Sequence, residues 1–245
     1  NPNGVSLIFY FNFVHCCTNT ISFMSIETYF QLLTEAEKKY FPERLFFGGN
    51  ENLLYEKRRV SVVGSRAASK EGLQRAKIIA KNLLKHDIIV VSGLAKGIDT
   101  IAHQTAINYG GQTIAVLGTP LNIPYPKENA DLLEKIKKEY LAISQFPEGF
   151  PTQPKNFPIR NRTMALISDA TVIIEASDKS GTRHQGWEAL RLGREVYILE
   201  NVIQDPKVSW AKEMLDYGAQ VLSRENMDEI FTHIPYLTSK FEDAF

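Results

Sequence analysis

The sequence predicts an α/β fold: a doubly wound, mostly parallel sheet with helices on both faces and a short helical N-terminal lead-in. Three observations support this prediction. From Arg59 onward, short β-rich segments alternate with segments whose apolar residues recur at helical spacing. Apolar runs at 88–91, 114–117 and 172–174 contain no alternating polar residues, which is typical of parallel strands that helices bury on both sides. Several of these strands also run into a glycine, where an open α/β sheet turns toward its next helix.

The elements follow one another in a regular order along the chain. The expected strands are the segments "RVSVVGS", "DIIVVSG", "QTIAVLG", "LAISQF", "ATVIIEA", "REVYILE" and "AQVLS". The expected helices are "EGLQRAKIIAKNLLKH", "GIDTIAHQTAINYG", "NADLLEKIKKEY", "IRNRTMALIS", "TRHQGWEALRLG" and "KVSWAKEMLDYG". Six or seven strands joined by right-handed crossovers are therefore expected.

The composition is that of an ordinary globular protein. The 245 residues are 44% hydrophobic and 23% charged, which is enough material for one sizeable core. The formal net charge is zero, so any binding to a polyanion must come from a local patch of charge. The two cysteines, Cys16 and Cys17, are adjacent and cannot staple distant segments, which favours a reducing compartment.

The chain divides into four segments. Residues 1–23 contain an apolar run that is too short and too polar for a membrane span and lacks the basic start of a signal peptide. We therefore expect 1–23 to be a non-native or disordered upstream segment and the protein to be cytoplasmic. Residues 24–57 are expected to form a small helical lead-in, residues 58–224 the binding domain, and residues 225–245 a terminal helix with a tail.

The residues that follow the strands carry the strongest functional signal. Ligands of open α/β sheets bind beyond the carboxyl ends of the strands. Five of these ends carry glycine, serine or threonine together with cations, namely Arg66, Lys96, Arg160 or Arg162, and Lys179. Glycines let the backbone approach a ligand, helix N-termini add positive potential, and arginine or lysine donates charge-assisted hydrogen bonds. The pattern predicts phosphate or nucleotide binding without a dinucleotide fingerprint or a nucleoside triphosphate loop.

Other groups of residues support weaker hypotheses. The five histidines are scattered and no cluster has metal-ligand spacing, so we expect no metal and no cofactor. Asp99 and His103 lie one helical turn apart, which indicates a local packing contact more than catalysis. Tyr125 and Phe157 could each stack on a base or pack in the core or its rim.

Five ordered blocks of the sequence resemble the DNA-processing protein A family, also called DprA or Smf. The blocks are "GSRAAS", "VSGLAKGIDTIAHQTAI", "GGQTIAVLGTPLNIPYPKENADL", "ISQFPEG" and "FPIRNRTMALISDATVIIEASDKSG". "FPERLFFGGN" is also similar to that family's lead-in, and the match extends from Phe41 to Leu199. The resemblance implies an extended Rossmann-like domain that binds and protects single-stranded DNA. It further implies a homodimer and delivery of a RecA-type recombinase onto incoming single strands.

Carried over residue by residue, the resemblance implies a phosphate-binding set and no catalytic residue. Arg66 and Lys179 would be the charged anchors, backbone N–H groups at the glycines would fill the pocket, and Phe157 would stack a base. The full set is Gly64, Ser65, Arg66, Gly93, Lys96, Gly97, Phe157, Arg160, Asn161, Arg162, Lys179, Ser180 and Gly181.

Two departures from the family's pattern leave alternatives open. "SGTRHQGWEAL" is similar to a block of the nucleotide-cleaving "lysine decarboxylase-like" (LOG) enzymes, although Glu188 follows Gly181 and Thr182 at a different spacing. Glu175 is the other candidate for a general acid or base.

The second departure is at the C-terminal end. About twenty residues follow Arg224, so no C-terminal winged-helix domain is expected. A third hypothesis is a partner-binding module with a vestigial pocket. Natural transformation, recombination and defence against foreign DNA all remain possible processes.

Overall fold

The computed structural model describes residues 33–178 and 180–237, which form an eight-stranded sheet with helices packed on its faces. The strands are β1 (Phe46–Gly49), β2 (Arg59–Gly64), β3 (Ile89–Ser92), β4 (Thr113–Leu117), β5 (Leu141–Ser144), β6 (Ala170–Glu175), β7 (Glu195–Leu199) and β8 (Gln220–Leu222). The helices are α1 (Glu35–Tyr40), α2 (Lys70–Lys85), α3 (Ile98–Asn108), α4 (Ala130–Glu139), α5 (Asn156–Ile167), α6 (Gly181–Arg191), α7 (Glu200–Ile203), α8 (Ser209–Asp216) and α9 (Met227–His233).

The strand order is β1-β5-β4-β3-β2-β6-β7-β8, and every neighbouring pair except β1–β5 is parallel. The chain winds outward from β2 through β3, β4 and β5, and then returns to the other side of β2 for β6, β7 and β8. This arrangement is the doubly wound topology of Rossmann-like sheets. The predicted fold class is confirmed, with all seven expected strands present.

Each apolar run supplies side chains to both faces of the sheet, because successive side chains of a strand point to opposite sides. In β3, Ile89 and Val91 belong to the core layer beneath α5, α6 and α8, whereas Val90 belongs to the layer beneath α2 and α3. In β6, Ile173 lies in the first layer and Val172 in the second. The continuous apolar runs therefore follow from burial on both faces.

Residues 24–57 are expected to form a helical lead-in, but their described part also contains a strand. Within that part, α1 begins at a capping box formed by Thr34 and Glu37, but Phe46–Gly49 forms strand β1. This strand pairs antiparallel with β5, and Leu45 beside it enters the core. Two glycines in four residues give a weak strand signal, so the pairing depends on the exposed edge of β5. The prediction for 1–23 lies outside the described residues.

A buried ion pair joins the starts of β2 and β6. Arg59 Nη2 lies 3.3 Å from Asp169 Oδ1, and both side chains are fully buried. The carboxylate also accepts hydrogen bonds from the backbone N–H groups of Arg59 and Leu237, the latter at 2.7 Å. The bond from Leu237 thus ties the chain after α9 to the amino ends of the central strands. Residues 238–245 of the expected tail lie outside the residues that the structure describes.

Within the part of the chain that the structure describes, none of the helices is long and apolar enough to cross a membrane.

Candidate functional site

The candidate site lies where the strand order reverses. Strands β2 and β6 are neighbours, yet the chain leaves them toward opposite sides of the sheet, which opens a crevice beyond their carboxyl ends. The loop of residues 65–69 follows β2, and the loop that begins at Ala176 follows β6. The backbone N–H of Ser65 donates to the carbonyl of Glu175 at 2.9 Å, so the two loops start from one fixed point.

Arg66 is exposed at the tip of the loop after β2. Ser65 holds that loop from both sides: beyond its bond to Glu175, its carbonyl accepts the N–H of Ile98 at 3.3 Å and its hydroxyl accepts the N–H of Ala67 at 3.2 Å. Ile98 is the first residue of α3. The cation is therefore carried by a backbone whose position is fixed by β6 and by the N-terminus of α3.

One aromatic ring lies against this cation, and a second ring contacts the first. The guanidinium carbon of Arg66 lies 5.2 Å from the centroid of the Phe157 ring, and the ring of Tyr125 lies 5.0 Å from the same centroid. Phe157 also rests on Gly118, where a Cβ atom would lie 2.7 Å from the ring. Phe157 is half-buried among these neighbours, whereas Tyr125 is exposed.

The loop after β3 brings Lys96 to the same end of the sheet. The buried Asp99 carboxylate fixes this loop by accepting the N–H groups of Gly93 and Ala95 at 3.2 and 3.3 Å. Gly97 has φ +78°, and a Cβ there would lie 2.4 Å from the carbonyl oxygen of Ser65, so glycine permits the loops after β2 and β3 to touch. Lys96 is exposed and its Nζ contacts Glu128 Oε1 at 2.6 Å.

Arg160 is buried and bonded to internal partners, and its grip on a phosphate stays a prediction. Its side chain is buried, its Nη1 donates to the carbonyls of Gly93, at 2.6 Å, and of Val116, and its Nε donates to Asn161 Oδ1 at 3.0 Å. A Cβ on Gly93 would lie 2.1 Å from Arg160 Nη1. Position 93 requires glycine because any side chain there would collide with Arg160. Arg160 in turn joins β3 and β4 near their carboxyl ends through the carbonyls of Gly93 and Val116.

Asn161 is also used for internal support. It is buried, accepts the bond from Arg160, and donates from Nδ2 to the carbonyl of Gly181 at 3.3 Å. Asn161 thus holds the first residue of α6, and its role as a direct phosphate ligand stays a prediction. Gly64 is half-buried, and a Cβ there would lie 2.5 Å from Ile98 Cγ1, so its small size serves packing against α3.

Burial shifts the pKa of each titratable group in this support. The pKa of Asp99 is raised by burial, although the positive charge of Arg160 and the amides of Ala95 and Gly93 oppose the rise. Burial likewise lowers the pKa of Arg160 to about 10, and the Asp99 carboxylate opposes that shift. Arg160 therefore stays charged at neutral pH and has Asp99 as its nearby counter-charge.

Arg162 is held by contacts with α1 and α6. Its Nε donates to Glu188 Oε2 at 2.8 Å, and its guanidinium lies 4.9 Å from the ring of Tyr40. Arg191 Nη1 reaches the same glutamate at 2.8 Å. Arg162 thus connects α5 to α1 and α6.

An open depression of about 500 Å³ lies next to this cluster. It is lined by Asp178, Ser180, Arg183, His184, Trp187, Glu188 and Arg191.

The loop after β6 leads into the N-terminus of α6. Ser180 precedes the helix without a side-chain capping bond, and Gly181 is exposed with no atom within 4 Å of an added Cβ. Arg183 is exposed in the first helical turn. Free N–H groups and a cation at a helix start favour an anion. Lys179, the second predicted anchor, lies outside the described residues.

The two carboxylates considered for catalysis are both engaged. Glu175 accepts bonds from the backbone N–H of Ser69, at 2.9 Å, and from its hydroxyl, while that hydroxyl also caps α2. Burial raises the pKa of Glu188, but the hydrogen bond from Arg162 and the charges of Arg162, Arg191 and His184 outweigh it and lower the pKa overall. A glutamate held as a carboxylate is a poor general acid.

Asp99 and His103 do not act on each other as the helical spacing suggested. Asp99 bonds the loop before α3, whereas His103 Nδ1 lies 2.7 Å from the Thr113 hydroxyl of β4. Among residues 33–178 and 180–237, no three histidine, cysteine, aspartate or glutamate side chains come together as a metal site.

The fold and this crevice define a Rossmann-like α/β protein with a candidate anion-binding site at its switch point. The family profile described as DNA recombination-mediator protein A matches residues 20–235. The chain belongs to that family, and the resemblance inferred from the sequence blocks is confirmed.

Similar proteins include the DNA processing protein DprA of Streptococcus pneumoniae, which is 37% identical over 74% of this chain and 64% of its own length. Protein Smf of Synechocystis is 37% identical over 68% of this chain and 42% of its own. The chain thus spans less than two thirds of the length of these curated relatives.

Two solved structures are similar over most of the chain. DNA processing protein A from Streptococcus pneumoniae superposes with a TM-score of 0.72 at 32% identity, covering 83% of this chain and 72% of that one. The protein from Helicobacter pylori, whose structure is described in terms of its single-stranded DNA binding mode, superposes with a TM-score of 0.70 at 25% identity. That alignment covers 87% of this chain and 92% of the other.

Proposed function

We propose that this chain binds single-stranded DNA, without chemical turnover, during DNA uptake or recombination. The observation that carries the proposal is the exposed Arg66, fixed at the switch point of the sheet against the ring of Phe157, which in turn contacts the ring of Tyr125. Relatives named as DNA processing proteins support it, as does the binding mode described for the Helicobacter pylori protein.

The charges and rings of the crevice suit a nucleic acid strand better than a free nucleotide. Arg66, Lys96 and Arg183 are exposed on three different loops or helix starts, and we propose that they contact different phosphates of one strand. Aromatic side chains next to such cations provide surfaces for unpaired bases of any sequence. Lys96 would exchange its contact with the exposed Glu128 for a phosphate.

The absence of turnover is proposed because the nominated carboxylates are committed to other bonds. Glu175 braces the start of α2 and Glu188 holds two arginines, so neither is placed to donate a proton to a leaving base. A carboxyl group that assists departure of the base as a general acid must be protonated when it acts.

We further propose, on the family resemblance, that the chain forms a homodimer in the cytoplasm and assists loading of a RecA-type recombinase. Light scattering tests the dimer, and a strand-exchange assay with recombinase assembled on single-stranded DNA tests the recombinase step. Protection of the bound strand from a single-strand nuclease is expected in the same preparation.

The decisive experiment is a fluorescence anisotropy titration with labelled oligo-dT at several salt concentrations. Affinity should fall as salt rises, because neutralised phosphates release counterions. Replacing Arg66 by alanine should weaken binding and reduce the slope of log K against log salt by about 0.7, the value for one lost contact to a single strand. Lys77→Ala, which removes an exposed lysine from the middle of α2, is the matched control.

Three results would contradict the proposal. They are no binding of oligo-dT at low salt, equal loss of binding in the Arg66→Ala and Lys77→Ala variants, and competition by AMP as effective as competition by unlabelled oligo-dT. Release of free base from AMP, detected by chromatography, would show that the protein is an enzyme.

A further inference from the structure

Exposed apolar side chains are concentrated at the end of the sheet that carries Arg66. Six large apolar side chains are exposed among the described residues, and four of them follow β4 or β5 in the chain. These four are Ile123, Tyr125, Phe150 and Ile159. An exposed apolar surface beside a cation commonly marks a binding site, and bases joined to phosphates have the matching chemistry.

Tyr125 is the outer ring of a short stack that starts at Arg66. The guanidinium of Arg66 covers Phe157, and Tyr125 contacts Phe157 with ring centroids 5.0 Å apart and planes tilted by 43°. Phe157 has the cation, the second ring and Gly118 as neighbours, whereas Tyr125 is 47% exposed. Tyr125 therefore offers an incoming base more uncovered ring surface than Phe157 does.

The loop that carries Tyr125 is fixed before any ligand arrives. The Thr119 hydroxyl donates to the carbonyl of Ile123 at 2.7 Å on one side of the tyrosine. On the other side, Asn129 Nδ2 donates to the carbonyl of Leu94 at 2.9 Å and contacts the Thr100 hydroxyl at 2.8 Å. The first bond closes the loop on itself, and the two bonds of Asn129 tie it to the β3–α3 connection and to α3. Little ordering is therefore required when a base binds.

We propose that Tyr125 is the residue on which an unpaired base stacks when a neighbouring phosphate lies at Arg66. Phe157 then acts as a positioning residue that supports both Tyr125 and Arg66. This inference rests on the proposed function and deepens it by assigning the base contact. It predicts a preference for single strands, because a base within a duplex has both faces stacked and cannot stack on the ring.

The test compares oligo-dT with an oligonucleotide of equal length whose bases are replaced by abasic spacers. Replacing Tyr125 by alanine should weaken oligo-dT binding by about 5- to 150-fold, the range that loss of one base–aromatic stack produces. Binding of the abasic strand should change little, and the salt slope should be that of the unchanged protein. Tyr125→Phe should retain the affinity because the ring remains.

Tyr109→Ala is the matched control. Tyr109 is 61% exposed, but it follows α3 at the amino-end side of the sheet and contacts Lys81. A 2-aminopurine placed in the oligonucleotide supplies a direct signal, because its emission should be quenched by the unchanged protein and less so by the Tyr125→Ala variant.

Failure of this inference differs from failure of the proposed function. If oligo-dT binds and depends on Arg66, but Tyr125→Ala binds it as the unchanged protein does, the base contact is wrong and the phosphate site stands. Equal weakening on oligo-dT and the abasic strand would also overturn the inference, since a stacking residue cannot affect a strand without bases. If oligo-dT does not bind at all, the proposed function itself fails.

Discussion

The guanidinium carbon of Arg66 lies 5.2 Å from the centroid of the Phe157 ring. This contact joins the loop after β2 to the first turn of α5, and Phe157 is in turn held against Gly118 at the end of β4. The orientation of the exposed cation is therefore set by a ring that the sheet supports, which places Phe157 in the site as a support for Arg66.

Replacing Phe157 by leucine should weaken oligo-dT binding by about 2- to 5-fold, because an exposed cation–π contact is worth about 0.5–1 kcal/mol. Anisotropy measures the change. In an Arg66→Ala background the same replacement should weaken binding less, since there is no longer a guanidinium to orient and only the support of Tyr125 is lost. Equal losses in both backgrounds would show that Phe157 acts independently of Arg66.

Gly93 allows Arg160 to bond the ends of β3 and β4. In a Gly93→Ala variant the new Cβ would lie 2.1 Å from a guanidinium that is buried and held by several acceptors. We expect the free energy of unfolding to fall by about 1–3 kcal/mol, as overpacked sites do. Gly181→Ala, with open space around the new methyl group, should leave stability nearly unchanged. Urea denaturation compares the two, and equal stability would contradict this role for Gly93.

The fold was predictable from the sequence because its strands are buried on both faces and because helices such as α2 and α4 are amphipathic. Strand β1 was not, since "FFGG" is short and rich in glycine, and its pairing is decided by the edge of β5. Location of the site at the strand ends also followed from local signals, as the glycine- and serine-rich turns show.

The direction of each cation at those ends did not follow from the sequence. Arg160 and Arg162 are two residues apart on α5, so their side chains leave the helix about 200° apart and cannot both face one crevice. In the structure Arg160 points beneath the loops and Arg162 toward α6, and only tertiary contacts decide this. Arg66 is exposed because its loop is short and Ser65 is tied down on both sides.

Breaking the buried pair of Arg59 and Asp169 should be costly. An Asp169→Asn change leaves the charge of Arg59 in the core and weakens the acceptor for two backbone N–H groups. The free energy of unfolding should fall by about 3–5 kcal/mol. The Arg59→Met, Asp169→Asn double variant should lose less than the sum of its single changes, as urea denaturation would show. Additive losses would indicate that the two side chains do not interact.

His103 is a buried neutral imidazole between α3 and β4. Its Nδ1 lies 2.7 Å from the Thr113 hydroxyl, which itself donates to the carbonyl of Val90 at 2.9 Å. The hydroxyl proton is thus in use, so Nδ1 carries the hydrogen that joins the pair. Burial lowers the pKa of His103 from 6.5 to about 3; a backbone bond at Ser92 opposes the shift and the charge of Arg160 adds to it.

Acid should therefore destabilise the protein through His103. Between pH 6.5 and about 3 the unfolded chain binds a proton at this imidazole that the folded chain does not, so the free energy of unfolding falls as pH falls. The expected loss from this group between pH 7 and pH 5 is about 2 kcal/mol. His103→Asn keeps an N–H donor at the position of Nδ1 for Thr113 but cannot be protonated, so its stability should fall by that much less over the same range. Urea denaturation at pH 7, 6 and 5 measures the difference, and parallel curves for the two proteins would mean that His103 is not the group that titrates.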